Sequence, residues 1–516
     1  MKSKFRSLRI KELNVDKGFL FLGLWFLILR LLPIWMDKFP FNYDNAKDSL
    51  AIMQMWTFRK PALLGAVTSM EGLYNGPLWY YIFFPLNLIL NFHPIASVLT
   101  VNLVGIITLW LVWRYIGKFE AFMMTVSLSV ITIMQTAWYP YLTFFPVTWV
   151  YIIFTKLNKK KPSTLLLMLL AISVSTMFHA QIAIGVLFVV LVPVILLLNM
   201  IVPSKKQAVL MIVGFLLGFM PQLIFEFRHD FLQTRSVYRF IRNFGSEAAE
   251  IGQNVKGLGR VLEVLKYYSN NFIGSITPYP LSANKILPAI FILVFVYITI
   301  KRFDTFRKEK SVKVIIQIIL GSMILHLILP VKFYYLIAYT PLWIFLFSKL
   351  IKTYPKAVKT FVVFIFVGIS IFHLRTMLIN YNNLSKESRI LFEPKLKAVR
   401  EVYGLSVGEA FSSYHYVPEL YDYTYQFIYQ YLSASEGKRF PVDYAYAPNV
   451  PPYMITKKLK GDNVQPSFTM LIVEEDERWE LYDRWFNDVT QGKKVVQTCK
   501  VNGQIDLYKL VDENLN

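Results

Sequence analysis

Apolar stretches long enough to cross a lipid bilayer recur along most of this chain. A helix needs about 17 to 25 mostly apolar residues to span the hydrocarbon core. About eleven stretches approach or meet this length, at residues 18–36, 96–114, 119–137, 139–157, 162–178, 181–201, 207–226, 286–301, 312–330, 334–349 and 358–379. Hydrophobic residues make up 55% of the 516 residues, which is more than a soluble domain of this size carries. The sequence therefore predicts a polytopic α-helical membrane protein with about 11 spans.

A twelfth apolar segment, residues 77–91, is shorter and contains Pro77 and Pro85. It could span the membrane, re-enter it or lie in the interface. If the basic N-terminus is cytoplasmic and this segment does not cross, the Lys and Arg clusters between the later spans all fall in the cytoplasm, as the positive-inside rule requires. We therefore predict an interfacial or re-entrant segment. Residues 37–95, residues 226–285 and the chain after about 380 would then lie on the outer face.

The charge changes sign along the chain. The total of +22 comes from an excess of Lys and Arg before residue 380, whereas the last part of the chain is slightly acidic. This predicts two domains, a multi-span domain at 1–379 and a soluble, extracytoplasmic α/β domain at 380–516. In the second domain, helix patterns cover 388–403, 423–432 and 478–487, strand patterns cover 409–413, 468–473 and 505–510, and Asn502-Gly503 favours a terminal hairpin.

Composition also excludes some classes of protein. Lys and Arg cluster between apolar spans rather than on one soluble face, so they orient the chain in the membrane and do not indicate nucleic-acid binding. The single cysteine, Cys499, permits neither an intrachain disulfide nor a cysteine-based metal site. The first apolar stretch lacks a cleavage site for a signal peptidase and should stay as a span. We expect a multi-pass protein of the cell (inner) membrane of a prokaryote, with its N-terminus in the cytoplasm.

Two acids, Asp44 and Asp48, follow the first span within the polar segment 42–48. Acids are costly next to hydrocarbon, so such a pair is a functional candidate. Residues 44–58 have the pattern of an amphipathic helix on the membrane surface, and acids four residues apart could share one of its faces. In the structural alternative Asp44 only caps this helix, and Asp48 pairs with Lys47 or with solvent.

Further ionisable side chains are predicted at the same outer face, namely Glu71, His179, Glu226, Arg228, His229, Asp230, Arg235 and Lys332. An acid suits the general base that deprotonates an acceptor hydroxyl, and cations suit a phosphate leaving group. The combination indicates transfer of a group from a lipid phosphate. Structural alternatives remain open: a solvated loop acid for Glu71, a juxtamembrane anchor for Arg228, a hydrogen-bonded pair for His229 and Asp230, a buried hydrogen bond for His179, and interfacial belt residues rather than sugar-stacking platforms for Tyr334 and Tyr335.

Four short motifs, in this order, resemble the GT-C superfamily of integral-membrane glycosyltransferases, which includes protein O-mannosyltransferases and lipid A aminoarabinose transferase. They are Tyr43-Asp44, Gly-Pro-Leu-Trp-Tyr-Tyr at 76–81, Phe-His-Ala-Gln at 178–181, and Pro-Gln-Leu-Ile-Phe-Glu-Phe-Arg-His-Asp-Phe at 221–231. The resemblance covers most of residues 15–380 in architecture.

The resemblance implies a polyprenyl-phosphate-linked sugar donor, inversion at the sugar carbon, and an acceptor lipid, glycan or protein on the outer side of the membrane. Asp44 matches the first-loop acid that acts as the base. Mannosyltransferases often carry a second acid next to it, where this chain has Asn45; Asp48 or Glu71 could take its place. A divalent metal, Mg or Mn, is left open. Arg228, His229 and Lys332 would hold the donor phosphate, with Asp230, Arg235, His179, Glu226 and Tyr335 as further substrate-binding candidates.

Two alternatives remain. A transporter or flippase of lipid-linked sugars would need charged residues along a path through the bilayer, but ionisable residues avoid mid-span positions apart from Arg30 and Arg375 near span ends. A polysaccharide ligase or polymerase would use related chemistry, with a catalytic Arg and His late in the chain. In this chain the best group of candidates begins at residue 44.

Overall fold

The computed structural model describes residues 16–68, 70, 72–243, 257–276, 286–302, 304, 308–419, 421–448, 461 and 464–513. Helices form most of it and are labelled α1 to α19 in chain order. Those before residue 384 are α1 Lys17–Trp35, α2 Tyr43–Thr57, α3 Leu78–Ile89, α4 Ile95–Tyr115, α5 Lys118–Val126, α6 Leu128–Met134, α7 Phe144–Lys156, α8 Thr164–Ala180, α9 Ile182–Leu198, α10 Lys205–Arg228, α11 Leu232–Arg242, α12 Leu258–Ile276, α13 Ile286–Lys301, α14 Lys310–His326, α15 Thr340–Lys352 and α16 Lys356–Asn383. Two 3-10 helices, Tyr139–Thr143 and Phe333–Tyr339, precede α7 and α15.

Helices occupy every one of the predicted apolar stretches, although not always as one piece. The stretch at 119–137 is broken at Ser127, whose extended backbone separates α5 from α6. Arg30 of α1 is fully buried at this break and donates hydrogen bonds to the carbonyl oxygens of Met124 and Thr125 at 3.2 and 3.1 Å. In the described part of the chain, six helices are long and apolar enough to cross a membrane, and α3, α8 and α9 are shorter apolar helices. The chain is a polytopic membrane protein, and the count of 11 spans stays a prediction.

Helix α3 does not carry the chain across the bundle. It has 12 residues and is therefore about 18 Å long, well short of the roughly 30 Å hydrocarbon core. The start of α1 meets the end of α4, because the Phe19 and Trp113 rings pack edge to face at 5.9 Å. Since α1 and α4 are antiparallel, the chain between them leaves and returns at the same end. This agrees with the re-entrant or interfacial position expected for residues 77–91.

Loops that carry Lys and Arg meet at the opposite end of the bundle. Their contacts are the ion pairs Lys118–Asp16, Lys352–Glu120 and Lys349–Glu309, and a hydrogen bond from Lys310 to the carbonyl oxygen of Leu157. Four separate loops predicted to be cytoplasmic thus gather on one side. Which side of the membrane this is remains a prediction.

The C-terminal part is a five-stranded sheet with helices on both faces. Its elements are α17 Phe392–Ser406, β1 Phe411–Tyr416, α18 Tyr423–Glu436, β2 Tyr444–Ala445, β3 Phe468–Glu474, α19 Trp479–Thr490, β4 Lys493–Asn502 and β5 Ile505–Asp512. The strand order is β2-β1-β3-β5-β4; β1 is parallel to β2 and β3, while β5 is antiparallel to β3 and β4. The predicted helices and strands agree to within a few residues, and the terminal hairpin is present. The pattern missed the two-residue strand β2.

The sheet domain packs against the segment that follows α1. Phe41 is fully buried, and its ring lies 5.2 Å from Phe392 and 5.3 Å from Phe427. The backbone N–H of Phe41 donates to the carbonyl oxygen of Ile390, and that of Phe392 donates to Phe39. Helix α2, which carries both acids, therefore lies between the helical bundle and the C-terminal domain.

Candidate functional site

Helix α2 begins at Tyr43, and its N-cap is Asn42, whose side-chain oxygen accepts a hydrogen bond from the backbone N–H of Asn45. The expectation that Asp44 caps the helix is therefore wrong. Asn42 precedes it and has the extended backbone that an N-cap requires. Asp44 lies in the first turn, where a carboxylate interacts favourably with the positive end of the helix dipole. Its side chain does not cap the helix.

Asp44 is paired with Lys47, one turn further along α2. The Nζ atom of Lys47 lies 3.3 Å from an Asp44 carboxylate oxygen, and the side chains are 7% and 18% exposed. Residues three apart lie on the same side of a helix. The lysine is thus buried while the acid keeps a solvent-accessible edge, from which it can reach another molecule.

Asp48 is more deeply buried, with 5% of the residue exposed, and accepts a hydrogen bond of 3.0 Å from the hydroxyl of Tyr80 on α3. Burial raises the pKa of this carboxyl to about 6, and the charge of Asp44 adds to the rise, while Lys47 opposes it. The alternative that Asp48 pairs with Lys47 does not hold. The lysine forms its ion pair with Asp44, and Asp48 accepts its hydrogen bond from Tyr80. The two acids therefore have different surroundings.

A tyrosine wall, formed by Tyr139, Tyr334 and Tyr335, separates the acids from a cavity. Lys47 lies over the Tyr139 ring, with Nζ 5.5 Å from the ring centroid. Tyr139, Tyr334 and Tyr335 line a cavity of about 310 Å³. The rest of the lining is mainly apolar and comes from α9, α11, the residues after α14 and the loop around residue 70. A charged site thus adjoins an apolar chamber.

His179 joins two of the short motifs to α10. Its ring is buried; Nδ1 accepts a hydrogen bond of 3.2 Å from the backbone N–H of Leu78, and Nε2 lies 2.7 Å from the carbonyl oxygen of Gly218. Because Nδ1 is an acceptor, Nε2 carries the proton and donates to that carbonyl. Gly76 packs directly against the ring. In this structure His179 fixes the backbone of α3 beside α8 and α10, and does not line the cavity.

Glu226 has an equally well-defined structural contact. Its carboxylate accepts hydrogen bonds from the backbone N–H groups of Gln233 and Thr234, both at 2.9 Å, and from the Thr234 hydroxyl at 2.6 Å. These donors lie in the first turn of α11. Glu226 thus satisfies N–H groups that a helix start leaves unpaired, and it fixes the turn between α10 and α11.

The remaining candidates near this turn face outward. Arg228, His229, Asp230 and Arg235 are all exposed, and none of them lines the cavity. The ring of His229 stacks on Phe225 at 4.0 Å, and Arg235 donates to the carbonyl oxygen of Asp230. The structure does not bring these side chains together with Asp44.

Lys332 and Tyr335 lie closer to the acids. Tyr335 is buried and lines the cavity next to Tyr334, to which its ring packs at 4.9 Å. The Nζ atom of Lys332 lies 5.9 Å from the centroid of the Tyr334 ring, and burial lowers the pKa of this lysine. Of the predicted phosphate-binding cations, Lys332 is the one beside the cavity wall.

Glu71, the other possible second acid, lies outside the described residues. Within the part of the chain that the structure describes, no three His, Cys, Asp or Glu side chains come together as a metal site. The acids on α2 also do not fit a divalent cation as they stand, since Lys47 is paired with Asp44 and Tyr80 donates to Asp48.

Sequence reasoning missed Lys47, Tyr80 and Tyr139 as members of this site. The spacing of three between Asp44 and Lys47 was a usable signal, because it places both side chains on one helix face. Tyr80 and Tyr139 gave none, since each lies in an aromatic, apolar segment whose tertiary position the pattern does not reveal.

The fold is similar to that of two solved structures of ArnT from Cupriavidus metallidurans. The structure of ArnT bound to undecaprenyl phosphate matches with a TM-score of 0.56 and 11% sequence identity, covering 95% of this chain and 97% of that one. The apo structure matches with a TM-score of 0.53 at the same identity and coverage. No family model and no curated protein matches the chain. The fold that the resemblance implied is thus confirmed over nearly the whole chain, the C-terminal domain included.

Proposed function

We propose that this chain is a glycosyltransferase that moves a sugar from a polyprenyl-phosphate donor to an acceptor, with Asp44 as the general base. The observation that carries the proposal is the ion-paired acid on α2, separated by a tyrosine wall from a mainly apolar cavity of about 310 Å³. A polyprenyl-phosphate sugar has the matching parts, namely an apolar chain, an anionic group and a polar sugar. The fold shared with a protein solved with undecaprenyl phosphate supports the same donor class.

In the proposed reaction the acceptor hydroxyl attacks the anomeric carbon of the donor sugar. A bond forms between the acceptor oxygen and that carbon, the bond from the carbon to the phosphate oxygen breaks, and its electron pair leaves with the phosphate. Asp44 takes the hydroxyl proton. A single displacement of this kind inverts the configuration at the sugar carbon. The accessible edge of Asp44 supports its role as the base, since it can meet an acceptor from outside.

The leaving phosphate gains negative charge and needs a cation. Lys332 is favoured over Arg228, His229 and Arg235 because it lies next to Tyr334 at the cavity wall, whereas the other three face outward. We propose that Lys332 contacts the donor phosphate and that Tyr335 contacts the first part of the lipid chain. The exposed basic side chains near α11 would contact lipid headgroups.

The proposed setting is the outer face of the cell (inner) membrane, with the N-terminus in the cytoplasm. The basic loops that meet at one end of the bundle support this orientation, since positive loops remain cytoplasmic. The acceptor, a lipid, glycan or protein, would reach Asp44 from the side of the C-terminal domain. That domain packs directly against the start of α2.

The transporter alternative receives no support from Arg30, one of the two charged residues near span ends that could have favoured it. Arg30 is fully buried, and its guanidinium donates to the carbonyl oxygens of Phe26, Met124 and Thr125. Arg30 satisfies carbonyl groups at the break between α5 and α6 and does not line a path for a substrate.

The proposal is tested by incubating the purified protein with a panel of radiolabelled polyprenyl-phosphate sugars and membrane extracts that contain acceptors. We expect the wild-type protein to catalyse transfer or donor hydrolysis. We expect Asp44→Asn to lose this activity. The absence of both reactions across a broad panel would contradict the enzyme assignment. Thermal shifts with undecaprenyl phosphate alone would test the donor site without any acceptor.

A further inference from the structure

A lysine is buried beside the pair of acids Asp44 and Asp48, at which a divalent metal was left open. Only 7% of the Lys47 side chain is exposed, and its ammonium lies 3.3 Å from Asp44 and over the Tyr139 ring. Burying an ammonium group is costly unless an opposite charge compensates it. Lys47 is the positive charge that offsets Asp44, and it also acts on Asp48, whose carboxyl it helps to keep ionised.

A divalent cation at the same place would do what this ammonium does. It would neutralise two acids one helical turn apart, fix the orientation of the first, and place positive charge near the donor phosphate. The ammonium and a cation would repel one another at contact distance, so the two cannot share the pair of acids. Tyr80 moreover donates to Asp48, as it would to a carboxylate that binds no metal.

We propose that Lys47 takes the place of a divalent cation at this site. It is a positioning residue that fixes the orientation of the Asp44 carboxylate through the ion pair, and transfer therefore needs no added metal. This inference rests on the proposed function for its catalytic meaning. Its structural content, a lysine that excludes a cation from Asp44 and Asp48, can be measured without any reaction.

The measurement is Mn²⁺ binding to the purified full-length protein in detergent, monitored by electron paramagnetic resonance. Five forms are compared: wild type, Asp44→Asn, Lys47→Gln, Lys47→Arg and the double variant Lys47→Gln with Asp44→Asn. Removing the ammonium leaves two neighbouring carboxylates without their cation, so Lys47→Gln should bind Mn²⁺ about tenfold more tightly than the wild type. The gain should vanish in the double variant, and Lys47→Arg should behave as the wild type does.

Two results would overturn the inference. One is Mn²⁺ binding by the wild type that disappears in Asp44→Asn, and the other is a folded Lys47→Gln with no gain in affinity. If Lys47→Gln does not fold, as judged by its thermal transition, the comparison of wild type, Asp44→Asn and Lys47→Arg still decides, since the first result needs no Lys47 substitution.

Activity supplies a second, separate readout. Transfer by the wild type should continue in EDTA, fall by about a hundredfold or more in kcat in Lys47→Gln, and recover in part in Lys47→Arg, because the charge returns. Loss of wild-type transfer in EDTA with recovery in Mg²⁺ or Mn²⁺ would contradict the inference. If no donor is used by any form, the proposed function fails, while the Mn²⁺ result still decides on Lys47.

Discussion

The Tyr80 hydroxyl donates a hydrogen bond of 3.0 Å to the carboxylate of Asp48, and this bond joins α3 to α2 beneath the candidate base. Both residues are buried, at 4% and 5% exposure. A buried carboxylate with one such donor and a nearby lysine is only partly compensated for the water it has lost. The pair therefore helps to fix the position of α2. The free-energy cost of burying the ionised carboxylate of Asp48 depends on pH.

Asp48→Asn should stabilise the protein above neutral pH but not in acid. The pKa of Asp48 is about 6 in the folded protein against 3.8 as its ordinary value, so ionisation costs stability as the pH rises through this range, and the full cost applies above it. The gain should approach about 3 kcal/mol at pH 8 and be absent near pH 4. Thermal unfolding in detergent at both pH values tests this. An equal change of Tm at both would contradict it.

Gly76→Ala should destabilise the protein strongly. A Cβ atom at this position would lie 1.9 Å from Nδ1 of His179 and 2.7 Å from Oε1 of Gln222, in a joint where that ring already accepts the N–H of Leu78. Overpacking of this kind costs about 1 to 3 kcal/mol or more. The measurement is the thermal transition and the yield of monodisperse protein.

Gly368→Ala is the matched control, since a Cβ atom there would meet nothing within 4 Å. Alanine also favours a helix over glycine by up to about 1 kcal/mol. Its Tm should equal or exceed that of the wild type. A similar loss in both variants would show that replacing glycine by alanine is harmful at either position, and that the contact with His179 is not the cause.

Hydropathy predicted the helices well because lipid imposes one rule on every span. Each backbone group must be bonded within its own segment, so a long apolar stretch becomes a helix whatever its neighbours are. The site was harder to predict. Asp44 could be chosen from its place after the first span, and its spacing from Lys47 was a usable signal. The burial of Lys47 and the position of the tyrosine wall depend on how α2, α3 and the 3-10 helices pack. The outward direction of Arg228 and the capping contact of Glu226 depend on the turn into α11, which no pattern in the sequence specifies.

Phe41→Ala should loosen the C-terminal domain from the helical bundle. The side chain is fully buried between Phe392 and Phe427, and removal of such a ring costs about 3 to 5 kcal/mol. Limited proteolysis should then release a C-terminal fragment faster than in the wild type. Phe361→Ala is the control, because that ring is 65% exposed on α16 and its loss should leave the cleavage rate unchanged. Equal rates for Phe41→Ala and the wild type would contradict the prediction.

Lys332→Met and Arg228→Met separate the two candidates for the donor phosphate. Lys332 lies beside a tyrosine that lines the cavity, whereas Arg228 faces outward. Loss of one hydrogen bond to a charged group costs about 1.5 to 3 kcal/mol, so Lys332→Met should raise the KM for the donor by about 10-fold to 150-fold. Arg228→Met should change it by less than about threefold. If Arg228→Met raises the KM for the donor more than Lys332→Met does, the phosphate is bound by the basic residues near α11.

Asp44→Asn should remove transfer while leaving the fold and donor binding intact. Asparagine has nearly the same shape, and its oxygen can still accept the hydrogen bond that Lys47 donates at 3.3 Å. Asp48 still supplies a negative charge close to the buried ammonium of Lys47, so α2 should keep its position. Asparagine cannot take a proton from a hydroxyl, and loss of a general base costs about 10²-fold to 10⁴-fold in kcat. The measurements are transfer from a radiolabelled donor, the Tm, and the thermal shift with undecaprenyl phosphate.

Asp37→Asn is the matched control for this test. Asp37 is an exposed acid that follows the same helix α1, and its positive φ of 55° is one that asparagine tolerates. It should keep full transfer, because no contact relates it to the tyrosine wall. If Asp44→Asn retains transfer within a few-fold of the wild type, Asp44 is not the base. Asp48, which accepts a hydrogen bond from Tyr80 and has a pKa of about 6, would then be the carboxyl to test next. It is close enough to Asp44 for the two charges to interact.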